Sequence, residues 1–84
     1  MSVSAQVSIY PLRQERIGSA VDAVRAALAS HGLKPEVGAM STVVTGEISV
    51  IFAALQQAFA EAAATGQVVM TVTLSNACPV REQA

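Results

Sequence analysis

The sequence predicts a two-layer α+β domain, a small antiparallel sheet with two helices packed on one of its faces. Three observations carry that prediction. Residues 2–10 alternate apolar and polar side chains, the period of a half-buried strand. Two longer stretches, 17–28 and 51–62, repeat apolar residues at helical spacing. Two further runs, 42–48 and 67–75, are rich in Val, Thr and Ile, residues that suit a pleated, half-buried surface.

Each element follows from local chemistry. In the first strand Val3, Ala5, Val7 and Ile9 point one way, and Ser4, Gln6, Ser8 and Tyr10 the other. Pro11 closes the ladder because it has no N–H to donate. The first helix lines Ile17, Val21, Val24 and Leu28 on one face, with Ala20 and Ala27 beside them, while Arg16, Asp22 and Arg25 fall elsewhere. Gly32 and Leu33 follow, the pattern of a glycine just past a helix with an apolar residue behind it. Lys34 to Met40 is expected as a second strand, with Pro35 near its start and Ser41 as a turn residue. Thr42 to Ile48, interrupted by Gly46, is the third.

Ser49 is placed to cap a second helix. Its apolar stripe is read as Phe52, Leu55, Phe59 and Ala62, with Ile51, Ala54 and Ala58 filling in, so both phenylalanines are assigned to the core. Gly66 ends the helix. Gln67 to Ser75 is the last strand, with Met70, Val72 and Leu74 on one face and Val69, Thr71, Thr73 and Ser75 on the other. The order β-α-β-β-α-β is that of a ferredoxin-like sandwich, a four-stranded antiparallel sheet with both helices on one side. One such domain is expected over residues 1–84, with 79–84 as a short tail.

Composition narrows the function classes. A chain of 84 residues buries only about 60–65% of the surface its unfolded form exposes. Charged residues make up 13% of it and hydrophobic ones 52%, against about 25% charged in an average globular chain. A surface so poor in charge points to cover by another chain, so a homodimer or homotetramer is expected. The net charge of −1 argues against a nucleic-acid partner, whose phosphates call for a basic face. No apolar run approaches the ~20 residues that span a bilayer. The opening MSVSAQVSIYP lacks a basic leader ahead of an apolar core, and the lone Cys78 suits a reducing compartment. A cytoplasmic location is the expectation.

With the helices on one side, Ser4, Gln6, Ser8, Tyr10, Val69, Thr71, Thr73 and Ser75 are left on the open face. Neither of these two strands carries a formal charge there. A sheet face meant only for water would carry Lys and Glu, so this one is expected to meet another subunit or to hydrogen-bond a ligand. Glu47 is the only charge in MSTVVTGEISVIF. It stands near the positive end of the second helix, which stabilises a carboxylate by up to ~1 kcal/mol. The functional alternative is that it meets a cation or a donor-rich ring.

Catalysis finds little support. There is no Ser-His-Asp set at a suggestive spacing, no acid/base carboxylate pair and no glycine-rich phosphate loop. His31 belongs to the last turn of the first helix, complementing its dipole. Cys78 has no companion for a metal, and no cofactor is expected. The chain is read as non-catalytic.

The stretches VSAQVSIYPL, GAMSTVVTGEISVIFAAL and GQVVMTVTLSNACP, in register with the two helices, together resemble the YkoF-like thiamine-binding family from Val3 to about Pro79. The resemblance implies a ferredoxin-like domain that assembles into oligomers, here through the open sheet face. It also implies binding of thiamine or its hydroxymethylpyrimidine moiety, in uptake or salvage. Thiamine offers a cationic thiazolium and a flat aminopyrimidine. Glu47 would supply the charge and Tyr10 an aromatic face, with neutral contacts from Gln6, Ser8, Ser41, Thr42 and Asn76. The alternative is a structural or regulatory oligomerisation module that binds no thiamine.

Overall fold

The alternation of the first strand holds residue for residue. In the structure, a computed structural model that describes residues 1–12 and 18–77, Val3, Ala5, Val7 and Ile9 are all buried. They belong to β1 (Ser2–Pro11), which is followed by α1 (Gly18–Ser30), β2 (Glu36–Val37), β3 (Thr42–Glu47), α2 (Ile48–Ala62), a 3-10 turn (Ala63–Thr65) and β4 (Val68–Ser75). The strands line up as β2-β3-β1-β4, and every neighbouring pair is antiparallel. This is the ferredoxin-like arrangement. Arg16, Ile17, Cys78 and Pro79 lie outside the described residues.

The core is one cluster between the helices and the inner sheet face. It joins the four β1 residues to Val44 of β3, to Ala20, Val24, Ala27 and Leu28 of α1, and to Ile51, Ala54, Leu55, Ala58 and Ala62 of α2. So many alanines let two helices lie close to the sheet and to each other. α1 ends as its sequence dictates. Gly32 takes φ +79, its N–H donates to Ala29 O at 3.0 Å, and Leu33 N–H donates to Leu28 O at 3.2 Å. Those are the two bonds that close a helix on a left-handed glycine.

Three expectations need correction. The second strand is two residues long, not seven, because Gly38 N–H donates to Ser41 O at 2.8 Å and turns the chain before a ladder can grow. The residue flanking α2 is Glu47, not Ser49, and its side chain makes no capping bond to the helix. Phe52 and Phe59 are not core: they are 55% and 44% exposed. The buried arc of α2 is centred on Ile51, Leu55, Ala58 and Ala62 instead. Where α2 approaches α1 and the sheet closely there is room for alanine and none for a ring. No helix among the described residues is long and apolar enough to cross a membrane.

Candidate functional site

Strand register decides which of the sequence-predicted site residues can meet. Glu47 pairs with Ser2, Val43 with Gln6, and Thr42 with Val7. Ser8 and Tyr10 lie farther along β1, opposite Thr71 and Val69 of β4. At about 3.3 Å per residue, Glu47 stands roughly 13 Å along the strands from Gln6 and roughly 26 Å from Tyr10. Asn76 follows Ser75, which pairs with Ser4, so it shares the Glu47 end of the sheet. There Glu47 Oε1 is ion-paired at 2.6 Å with the ammonium of Met1, both groups more than half exposed. Asn76 makes only a 3.9 Å contact to Met1 Sδ.

The other five converge at the opposite end. Gln6 Nε2 donates to Ser41 Oγ at 3.1 Å, and Ser8 Oγ donates to the carbonyl of Met40 at 3.2 Å. Two side chains of β1 thus hold the Gly38–Ser41 turn. Space at Gly38 is tight: a Cβ there would lie 3.2 Å from Ser41 O. Between this turn, the second half of β1 and α1 lies a cavity of about 220 Å³. Ser8, Tyr10, Ser41 and Thr42 contribute to its lining, with apolar walls from Val7, Ile9, Val21 and Val24. Among the described residues, none that lines it is charged.

Thr42 reaches the cavity differently from the rest. It is 4% exposed and pairs with the core residue Val7, so it faces the helices, whereas Gln6 and Ser8 face the open side. Tyr10 is 51% exposed and closes the row. Sequence reasoning missed Met40, which is 84% exposed in the turn that borders the cavity and accepts the Ser8 hydrogen bond through its carbonyl. The sequence signal was there in GAMS, a glycine and two small residues around one apolar side chain. That composition suits a turn better than a strand.

A neutral apolar cavity rimmed by hydroxyls can hold a flat heteroaromatic ring, stacked on carbon and hydrogen-bonded at its edge. The chain matches the YKOF-related family over residues 2–81. It belongs to that family. Solved structures with the same fold include a hypothetical protein of Methanocaldococcus jannascii, 28% identical with a TM-score of 0.81, covering 88% of this chain and 78% of that one. A Streptococcus pneumoniae protein is 25% identical with a TM-score of 0.80, covering 89% and 86%. A Thermotoga maritima protein proposed for thiamine biosynthesis or salvage is 21% identical with a TM-score of 0.79, covering 89% and 83%. None of the curated proteins matches the chain. In this YKOF-related chain the cavity sits where the sheet is narrowest, beside the two-residue β2.

Proposed function

We propose that the chain is a non-catalytic binding protein for thiamine or its hydroxymethylpyrimidine moiety, serving thiamine uptake or salvage. The observation that carries this reading is the uncharged cavity at Ser8, Tyr10, Ser41 and Thr42. Its volume of about 220 Å³ lies below the ~300–1,000 Å³ of sites for drug-sized ligands. That suits one ring, the pyrimidine, with the rest of thiamine left outside. Ser41 Oγ accepts from Gln6 and keeps its own hydrogen to donate to a ring nitrogen. Ser8 Oγ donates to Met40 O and keeps lone pairs for an exocyclic amine. Membership of the family and the Thermotoga fold relative favour the same ligand class. Glu47 and Asn76 stand too far along the strands to share a single-chain ligand with Tyr10, so the reading assigns the cavity contacts to Ser8, Tyr10, Ser41 and Thr42, with Gln6 holding Ser41 in place.

The same reading makes the protein a homodimer or homotetramer in the cytoplasm, meeting its copies through the open sheet face. A second reading, an oligomerisation module without a ligand, is favoured by one feature of that face. Its β1 and β4 rows are uncharged from end to end, as a subunit contact requires. Isothermal titration calorimetry against hydroxymethylpyrimidine, thiamine and thiamine diphosphate separates the two. The binding reading expects saturable heats for the first two at micromolar concentrations or below. Heat of dilution alone for all three would leave the oligomerisation module.

A further inference from the structure

The register of β1 fixes where its backbone points. Successive residues of a strand turn their N–H and C=O groups to opposite neighbours. Leu12 N–H donates to Gln67 O at 2.8 Å, one step past the pairing of Pro11 with Val68, so the even-numbered residues of β1 bond to β4. Ile48 N–H donates to Met1 O at 2.9 Å, one step past the pairing of Ser2 with Glu47, so the odd-numbered residues bond to β3. Val7 is the last odd residue with a β3 partner, Thr42. Ile9 therefore turns both its N–H and its C=O toward a place that β3 does not reach, and neither meets a partner among the described residues.

That place is the cavity. Ile9 lines it and is 6% exposed, so these two groups are withdrawn from bulk water. Folded proteins leave few buried backbone groups unpaired. The register would set Met40 opposite Ile9, but the Gly38–Ser41 turn carries Met40 aside, where its carbonyl accepts from Ser8 Oγ at 3.2 Å. The next odd residue is Pro11, which has no N–H, so this edge cannot go on as a ladder. What remains is one donor and one acceptor side by side on a single residue. They stand at the cavity wall with the apolar side chains of Val21 and Val24 on the helix side.

We infer that the backbone of Ile9 reads the ligand: its N–H donates to a ring nitrogen, and its C=O accepts from an amino group on the adjacent ring carbon. Such an edge presents an acceptor and a donor side by side, as the residue of a neighbouring strand does. The ring takes the position of the rung that β3 omits and lies in the plane of the sheet, with Val21 and Val24 over one of its faces. This rests on the binding reading above and narrows its ligand class to flat rings that carry an amine beside a ring nitrogen. Hydroxymethylpyrimidine has that edge, and its second ring nitrogen and second amino hydrogen stay available to Ser41 and Ser8. Because the recognising groups belong to the main chain, no side chain in the sequence announces them.

The test follows amide hydrogen exchange along β1, residue by residue, with and without hydroxymethylpyrimidine. Calorimetry runs beside it on the 4-methyl analogue, in which a methyl group replaces the amine at nearly the same shape. Ser8 and Tyr10, bonded to β4, and Val7, bonded to β3, should stay protected throughout. Ile9 should exchange on the order of a hundredfold faster than Val7 in the free protein, and slow by about tenfold or more at saturation. The analogue, which leaves the Ile9 carbonyl unpaired, should bind on the order of a hundredfold more weakly. An Ile9 amide already protected in the free protein would overturn the inference and leave the binding reading standing, since the chain itself would then hold that group. Saturable binding that leaves Ile9 exchange unchanged, or that accepts the analogue equally, would do the same. Heat of dilution alone for hydroxymethylpyrimidine would overturn the inference and the binding reading together.

Discussion

The two edges of the sheet meet the same problem differently. At one, β2 stops after Val37, and the missing length leaves a gap between α1 and β1 that becomes the cavity. At the other, β4 runs for its full eight residues, with Val72 and Leu74 exposed and an outer backbone edge unpaired among the described residues, beside two exposed phenylalanines. A short edge strand yields a pocket; a long one leaves none. The core between them is shared, and it fixes how far either edge can be altered alone.

The largest effect therefore comes from breaking what both edges rest on. Leu28 is fully buried, and truncating it as Leu28→Ala is expected to cost about 2–5 kcal/mol. Urea denaturation reads that loss, and ligand binding and assembly should fail together along the same curve. Replacing Phe52 and Phe59 by serine sharpens the contrast from the other direction. Both rings are exposed, so the monomer should lose little stability, within about 0.5 kcal/mol per site. Calorimetry should show pyrimidine affinity within about twofold of wild type. A large fall in affinity would mean the edges are coupled.

The β2 side is tested at its turn. Gly38→Ala places a Cβ 3.2 Å from Ser41 O, pushing the turn outward by a few tenths of an ångström and loosening the two bonds from Gln6 and Ser8. Affinity for hydroxymethylpyrimidine is expected to fall about tenfold, near 1.4 kcal/mol, with the mass unchanged. Calorimetry and sedimentation on one sample check both halves of that expectation.

Much of this contrast is legible in the sequence. The alternation of β1 is strict because one face must be dry, and the face assignments of β4 follow from the same rule. The closing of α1 on Gly32 could be read from two residues. What escaped was a matter of room. Ile51, Phe52, Ala54, Leu55, Ala58, Phe59 and Ala62 form an apolar arc wider than the core can cover, and periodicity alone does not say which part is outside. Size does: the close approach of α2 admits Ala54 and Ala58 and excludes the rings. The length of β2 is overestimated because Val37 and Met40 look strand-like and outweigh the turn composition of GAMS, where Gly38 N–H donates to Ser41 O. Convergence of the site residues depended on register, which placed Glu47 opposite Ser2 and not near Tyr10.

Glu47 gives the smallest effect and the sharpest question. The residue borders α2 with extended backbone (φ −65, ψ 139) and no side-chain bond to the helix, so its structural role is limited to charge near the helix dipole and an exposed ion pair. Glu47→Gln keeps the shape and removes the charge, with an expected cost of about 0.5 kcal/mol in urea. If the ligand lies in the β2-side cavity, thiamine and hydroxymethylpyrimidine should both bind the variant within about twofold of wild type. A selective loss for thiamine, about tenfold or more, would mean that the carboxylate reaches the thiazolium after all. Across roughly 26 Å of one sheet that is impossible within a chain. It would require a second copy to bring its Glu47 end over the Tyr10 end of the first, making the open face part of the binding site. The contrast that matters would then run between the two ends of the strands, not the two edges of the sheet.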